Sequence, residues 1–344
     1  MLIGYVPYSN DFKHPADRRR VMFFTKYFNH QLQIADINNS YDIVILSEKA
    51  DLTLWSKYNK SKIILDLCDS YLLTNYFNYK NLFKGYFSFA FGISSKPYFN
   101  FKSLIKSFCK NKASAVICSS KEQMKSIYPL NYNVFNINDS HSSEIYDFKK
   151  DTDDKKFNIF WEGMGVSLSN LDILKKIDRS LINKINFHIV TDSYYYKFFN
   201  KFIKKDSITK LQRLNINYKF YEWSYENLNE ISRKCDIAII PLKKNDMNRG
   251  RSLNKLLLLN RLGLVTLCSD IESYNSYLNK NNMSDLIFKN STEFINKLSF
   301  FISNREVIAD YKKKINKALL SYSDINTSIK WNSAIYSCYE KSSY

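Results

Sequence analysis

The segment Arg249–Asp270, RGRSLNKLLLLNRLGLVTLCSD, sets Arg249, Arg251 and Lys255, with Ser252 and Asn254, ahead of an apolar helical run. The run stops on Gly263 and passes into a short β-run ending at Ser269. The chemistry this suits is phosphate binding, since a helix start presents unpaired N–H groups and the positive end of its dipole. A second helix is expected to begin at Ser269, with Glu272 three residues on at capping-box spacing. An ordinary αβα unit with a cationic loop has the same local pattern.

Other residues point to the same kind of site. FWEGMG puts Gly163 and Gly165 after an apolar run, where backbone can approach a phosphate closely, although the spacing is not that of a dinucleotide fingerprint and a plain tight turn would look alike. Glu162 is the polar residue expected to be most exposed there. In HPADRRR, Asp17 is expected to cap a helix whose first turn holds Arg18, Arg19 and Arg20. Cations at that end oppose the dipole unless an anion binds, so His14, Asp17, Arg18 and Arg19 are candidate acceptor or anion contacts, against a solvated basic helix start. Asp66 and Asp69 in LDLCDSY end an apolar run, where a carboxylate can take a proton from a bound hydroxyl or simply cap the next helix, and Asp69 should reach further. Asp139 and His141 in INDSHS end another; a histidine there can act as acid, base or phosphate donor.

The elements that must position these residues follow a βαβ rhythm. LIGYVP, a helix over about 18–28, YDIVILS, KIILDLCD, SAVICSS leading into a helix from Lys121, and VFNIND form a first half. The charged stretch 146–156 reads as a linker. FNIFWEG, a helix near 168–182, INFHIVTD, a helix from about Tyr194, INYKFYEW, a helix near 225–233, CDIAIIPL, the helix after Ser252 and LVTLCSD form a second half, and everything from Thr292 on reads as helix. Runs apolar on both faces indicate parallel sheets covered on both sides, so the fold class is α/β with two Rossmann-like domains. The expected divisions are 1–148, 157–317 and a terminal helix in 318–344. In that helix Trp331, Ala334, Ile335, Cys338 and Tyr339 share one face and need a partner.

Composition narrows the partners. The 344 residues, 45% hydrophobic, suffice for two cores, and 51 Lys plus Arg against 33 Asp plus Glu give a net charge of +18. That balance suits a polyanion: nucleic acid, an anionic membrane face or phosphorylated substrates. Six cysteines without CxxC spacing read as small buried apolar residues, and four scattered histidines give no metal pattern, so no metal or other cofactor is expected. No run is long and apolar enough to span a membrane, and MLIGYVPYS reads as a strand instead of a signal peptide, so the chain is expected in the cytoplasm, free or on the membrane surface. Residues 71–112 mix many Tyr and Phe with Lys. They suit docking on an anionic bilayer or stacking with single-stranded nucleic acid, and equally an aromatic core beneath a basic surface.

RSLNKLLLLNRLGLVTLCSDIESY resembles the donor-site segment of GT-B glycosyltransferases of the family-4 type, and YSNDFKHPADRRR with IILDLCDSYL resembles the N-terminal domain of enzymes that build bacterial surface polysaccharides such as capsule and O-antigen. The resemblance covers about 25 residues strongly and both halves weakly. It implies a GT-B fold with an interdomain cleft and a C-terminal helix crossing back to the first domain. It places Ser252, Asn254 and Lys255, with Arg249 or Arg251, beside the phosphates of a nucleotide-sugar donor. It also implies transfer without metal and with retention, to a glycan or lipid-linked glycan at the inner face of the plasma membrane. Asp69, His141 and Glu162 are the catalytic candidates, and Gly163 and Gly165 join the phosphate contacts. One departure stands out: the family's Glu-x7-Glu pair falls on Gly250 and Leu258, so the usual ribose contact is missing. A polyol-phosphate or sugar-phosphate transferase on the same fold is the second reading. A nucleic-acid-binding protein is the third, which the absence of any known nucleic-acid-binding signature disfavours.

Overall fold

The computed structural model describes residues 1–74, 84–141, 156–197 and 203–340; the expected linker 146–156 lies outside them save for Lys156. The chain divides into two compact units. Unit 1 comprises Met1–His141, Lys244–Asn254 and Tyr322–Tyr344, and unit 2 comprises Ser142–Lys243 and Lys255–Ser321.

Unit 1 is built on six parallel strands: β1 (Leu2–Val6), β2 (Gln31–Ile34), β3 (Ile43–Leu46), β4 (Lys62–Leu67), β5 (Ala115–Cys118) and β6 (Val134–Asn136), in the order β2-β1-β3-β4-β5-β6. Alternate residues feed two cores. Val44, Leu46, Ile63 and Leu65 pack on one face, with Trp55, Ile105 and Phe108. Ile43, Ile45, Ile64 and Ile117 pack on the other, where Trp331, Ala334, Ile335 and Cys338 of the last helix, Asp324–Glu340, complete the layer. Trp331 stacks on Phe24 with centroids 4.8 Å apart. Tyr339, on the same sequence stripe, is instead 38% exposed and donates its hydroxyl to the Asp42 carbonyl at 2.6 Å.

Unit 2 repeats the plan with β7 (Phe157–Glu162), β8 (Ile185–Thr191), β9 (Tyr194–Lys197), β10 (Ile203–Asp206), β11 (Tyr218–Glu222), β12 (Ile237–Ile240), β13 (Val265–Ser269) and β14 (Ile287–Phe288). Its main sheet is parallel throughout in the order β11-β8-β7-β12-β13-β14, while β9 and β10 form a separate antiparallel pair.

Several local expectations are corrected. The helix over 18–28 is two helices, Pro15–Arg19 and Val21–Tyr27, broken at Arg20, whose side chain is drawn fully into the core. The edge strand β2 escaped notice because QLQI is mostly exposed and lacks the two-sided apolar signal of its neighbours. The stretch near 168–182 is 3₁₀ turns over Gly165–Lys176 and a short helix, Arg179–Ile182; buried Leu168, Leu171 and Leu174 recur every three residues, the 3₁₀ period. From Tyr194 the chain forms β9, paired antiparallel with β10, and the helix waits for the Asp206 cap before Ser207–Gln212. Ser269 ends β13 and accepts from the Leu242 N–H, so the helix Glu272–Lys280 begins at Ile271 without a side-chain cap. Of the six cysteines, all free thiols, five are buried and Cys68 is partly so. Among the described residues no helix is long and apolar enough to cross a membrane.

Candidate functional site

In an open parallel sheet a ligand finds its crevice at the carboxyl ends of the strands where the winding order reverses. In unit 2 that point lies between β7 and β12. The turn after β7 carries Gly163, whose N–H donates to the Val190 carbonyl at 3.2 Å, and Gly165, whose N–H donates to Asp192 Oδ2 at 3.2 Å. Neither position has room for a side chain: a Cβ on Gly163 would lie 2.9 Å from the Trp161 ring and 3.1 Å from Lys255 Nζ, and one on Gly165 2.6 Å from Tyr195. Glu162 ends β7. Its carboxylate pairs with Lys255 Nζ at 3.1 Å and accepts from Trp223 Nε1 at 3.2 Å, and its carbonyl also accepts from Lys255. The ammonium lies 5.4 Å from the centre of the Trp161 ring. Thus Glu162, expected as the exposed polar group of this turn, is largely covered and serves to lock Lys255 in place. The ammonium is thus held by both the carbonyl and the carboxylate of Glu162.

The corresponding point in unit 1 lies between β1 and β3. The loop after β1 is organised by Asp17, which accepts from the Tyr5 hydroxyl at 2.6 Å and from the backbone N–H groups of Tyr8 at 2.8 Å and Ser9 at 3.0 Å. Asp17 therefore does not cap the helix; His14 does, its ring Nδ1 accepting from the Ala16 N–H at 3.2 Å. His14 also stacks on Tyr8 at 4.8 Å, and Phe12 holds a left-handed φ of 57°, a backbone strain typical of functional loops. Arg18 Nε donates to the Lys13 carbonyl at 3.1 Å, and the Arg19 carbonyl accepts from Ser140 N at 2.9 Å. Just past β3 lies Glu48, whose carboxylate accepts from the backbone N–H of Asp69 beyond β4. Two acidic residues thus adjoin at neighbouring strand ends.

Burial, reinforced by the charges of Asp69 and Asp66, pushes the Glu48 carboxyl up from 4.5 to about 8. A raised acid pKa means that the folded chain holds the proton more tightly than the unfolded one, so stability is greatest below about 4.5 and is lost as pH rises through about 8. We expect Glu48→Gln to abolish most of this fall, which urea midpoints at the two ends of that pH window would reveal. Equal slopes in both proteins would show that Glu48 is ordinary.

Asp66, unlike Asp69, does not reach outward. It is fully buried and takes a two-pronged grip from Arg20, with Nε at 2.8 Å and Nη2 at 2.5 Å. Arg20 Nη1 reaches Asp139 at 2.9 Å and the Ile137 carbonyl at 3.0 Å, and the guanidinium sits 5.6 Å from the Trp331 ring centre. The Asp139 N–H in turn donates to Asn254 Oδ1 at 3.0 Å. His141 is buried nearby in sequence, after Ser140, which donates to Asp324 at 2.5 Å.

Of the cationic segment, Arg249, Arg251, Ser252 and Asn254 belong to unit 1 and Lys255 to unit 2. Exposed Arg249 ends a short helix, Asp246–Arg249, while Arg251 and Ser252 are half-buried. The Gly250 carbonyl accepts from Ser70 Oγ at 2.5 Å and Ser120 Oγ at 2.9 Å, and a Cβ there would meet Leu73 at 2.3 Å. A carboxylate-bearing residue is thus excluded at Gly250, and Leu258 is buried in the helix Asn254–Arg261. Sequence reasoning missed Glu48, Trp223 and the role of Arg20. A strand-end position marks Glu48 in the sequence; nothing local marks the other two.

No family model matches the chain, and no curated protein does. Solved structures do match. HepE of Anabaena in complex with UDP-glucose is 11% identical, with a TM-score of 0.67 over 98% of this chain and 100% of that one. A mutant of S. aureus TarM in complex with fondaparinux, alpha-GlcNAc-glycerol and UDP is 13% identical, with a TM-score of 0.58 over 85% of this chain and 55% of that one, so this chain spans about half of TarM. The T4 phage BGT in complex with UDP and Mn2+ is 12% identical, with a TM-score of 0.54 over 97% and 99% of the two chains. At such identities the likeness carries architecture alone, and with the two sheets and the returning helix it establishes the GT-B fold for this chain.

Proposed function

We propose that the chain is a glycosyltransferase that moves a sugar from a nucleotide-sugar donor to a growing, lipid-linked glycan of a bacterial surface polysaccharide at an anionic membrane face. The observation that carries the donor side is the winding-reversal point of unit 2, where the turn after β7 adjoins an ammonium fixed by Glu162. In this reading Lys255, beside the turn at Gly163 and Gly165, meets the diphosphate on unit 2, and the phosphate-binding role that the resemblance implies for Arg249, Arg251, Ser252 and Asn254 is proposed for them as well. When the glycosyl–phosphate bond breaks, negative charge grows on the leaving diphosphate, and a preplaced cation stabilises it without having to reorganise. This assigns leaving-group stabilisation to the chain's own groups, without a metal. Glu162 acts through Lys255. The acceptor side belongs to the β1/β3 point of unit 1: His14, Arg18 and Arg19 bind the acceptor, Asp17 shapes the loop, and Asp69 beside Glu48 receives the hydroxyl proton as that oxygen bonds to the sugar carbon. His141 assists as a proton or phosphate donor. The likeness to structures solved with UDP and UDP-glucose supports a uridine nucleotide as donor. The resemblance to the family-4 type favours retention of configuration.

A second reading has one observation behind it. The two positions that the resemblance gives to carboxylates are a crowded glycine and a buried leucine, so the ribose loses its usual grip, which favours a donor such as a polyol phosphate.

Thermal shift against a panel of nucleotide sugars decides. A ligand that binds only the folded state at about 100 times its Kd adds roughly 2.7 kcal/mol, a readily measured rise in midpoint. We expect a UDP-sugar to raise it and to release UDP when acceptor is added. A panel without any shift, with a polyol-phosphate donor giving one, would replace the first reading by the second.

A further inference from the structure

From Ser70 to Lys121 the chain contains no acidic residue, while lysines recur throughout, Lys96, Lys106, Lys110 and Lys112 among them. Within this stretch the helix Lys84–Ala90 and the turn after it are packed the wrong way round for water. The residues turned inward are the small ones. Gly85 lies so close to the backbone of Tyr98 that a Cβ would fall 1.8 Å from its carbonyl oxygen. Ser88 is buried, and its carbonyl accepts from the N–H groups of Ile93 at 2.8 Å and Ser94 at 3.2 Å. The residues turned outward are Tyr86, Phe87, Phe89, Phe91, Ile93 and Phe99, each between 48% and 58% exposed. Folding by itself would bury those rings and expose the serine, because each large apolar side chain gains free energy on leaving water. A patch of this kind on a folded chain marks a surface that meets something apolar.

The charge says what. The stretch carries lysines and no acid of its own, and among the described residues the carboxylate against its turn, Asp51, is spent on the Ser95 N–H at 2.6 Å and the Thr53 hydroxyl at 2.6 Å. Such an apolar wedge is complementary to the boundary of an anionic bilayer, where aromatic rings settle at the headgroup level and ammonium groups meet lipid phosphates. The next helix, Phe101–Asn111, supplies one such cation: Ile105, Phe108 and Cys109 are its buried side, while Lys110 is exposed. We propose that residues 86–99 form a membrane-docking wedge whose aromatic side chains enter the interface of an anionic bilayer. It deepens the lipid-linked part of the reading above. Because it is tested by vesicle binding without sugar transfer, either idea can fail while the other stands.

The full chain would be sedimented with phosphatidylcholine vesicles with or without about a third phosphatidylglycerol, at low and high salt. We expect binding to the anionic vesicles that weakens with salt, and a loss of about tenfold or more in partition coefficient for Phe87→Ser combined with Phe91→Ser. Both side chains are exposed, so the variant should keep the wild-type circular dichroism and its transfer rate to a soluble acceptor. A second variant, Phe91→Trp, should gain fluorescence quenching by bromine-labelled lipid relative to wild type. Wild-type-like vesicle binding by the double variant, or no added quenching in Phe91→Trp, would overturn the proposal. So would vesicle binding indifferent to lipid charge, or self-association or RNA binding that the double variant abolishes while vesicle binding is absent.

Discussion

Arg20→Met is expected to remove about 3–5 kcal/mol from the stability of unit 1, the range seen when one partner of a buried ion pair is deleted. The reason lies in what is left behind. Asp66 is fully buried near the carboxyl end of the central strand β4 with Arg20 as its two-pronged partner, and burial of an unpaired carboxylate costs far more than the pair ever gained. The Asp139 carboxylate and the Ile137 carbonyl lose a donor in the same step, and Trp331 loses the cation beside its ring. Hydrogen exchange at the amides of β4 and β5, with urea unfolding, would measure the loss, and a change below about 1 kcal/mol would refute it. Arg20→Lys should recover little, since an ammonium cannot match the fork that spans Asp66. Adding Asp66→Leu to Arg20→Met should restore much of the stability, because it removes the stranded charge.

Lys255→Met should lower kcat/KM with a nucleotide-sugar donor by about 10²–10³-fold, the usual effect of removing one preplaced group that meets charge in the transition state. Methionine keeps a flexible apolar stem against Trp161, so the substitution removes the charge with little change in packing. Glu162 then lacks its cation but keeps the Trp223 hydrogen bond, and a modest stability change is expected in addition. Glu162→Gln provides the control: if the carboxylate works by fixing Lys255, the loss should be smaller than for Lys255→Met and should fall on donor affinity. Unchanged donor affinity and rate in Lys255→Met would remove this residue from the phosphate site.

The sequence alone carried the plan of the chain. Apolar runs spaced by helical patterns dictated two parallel sheets, since only strands buried on both faces need such composition. The spacing of Trp331, Ala334, Ile335 and Cys338 marked a helix face that had to be covered, and it is covered by the unit 1 sheet. These are local signals, written within one element.

The tertiary structure decided whatever depends on partners far apart in the chain. Arg20 reads like its neighbours Arg18 and Arg19, yet the break between two helices and a carboxylate 46 residues on turn it into a core residue. Asp66 and Asp69 sit three apart at one strand end; only the fold sends the first inward to Arg20 and sets the second beside Glu48. Glu162 and Lys255, 93 residues apart, become one pair through the packing of the helix Asn254–Arg261 at the end of β7. In the same way Ser269 and Asp17 spend their oxygens on distant N–H groups instead of the helix starts that local rules assign them. Propensity and periodicity act over a few residues, whereas a buried charge or donor must be satisfied by whatever the topology brings within about 3 Å, and that is settled only when the sheets are assembled.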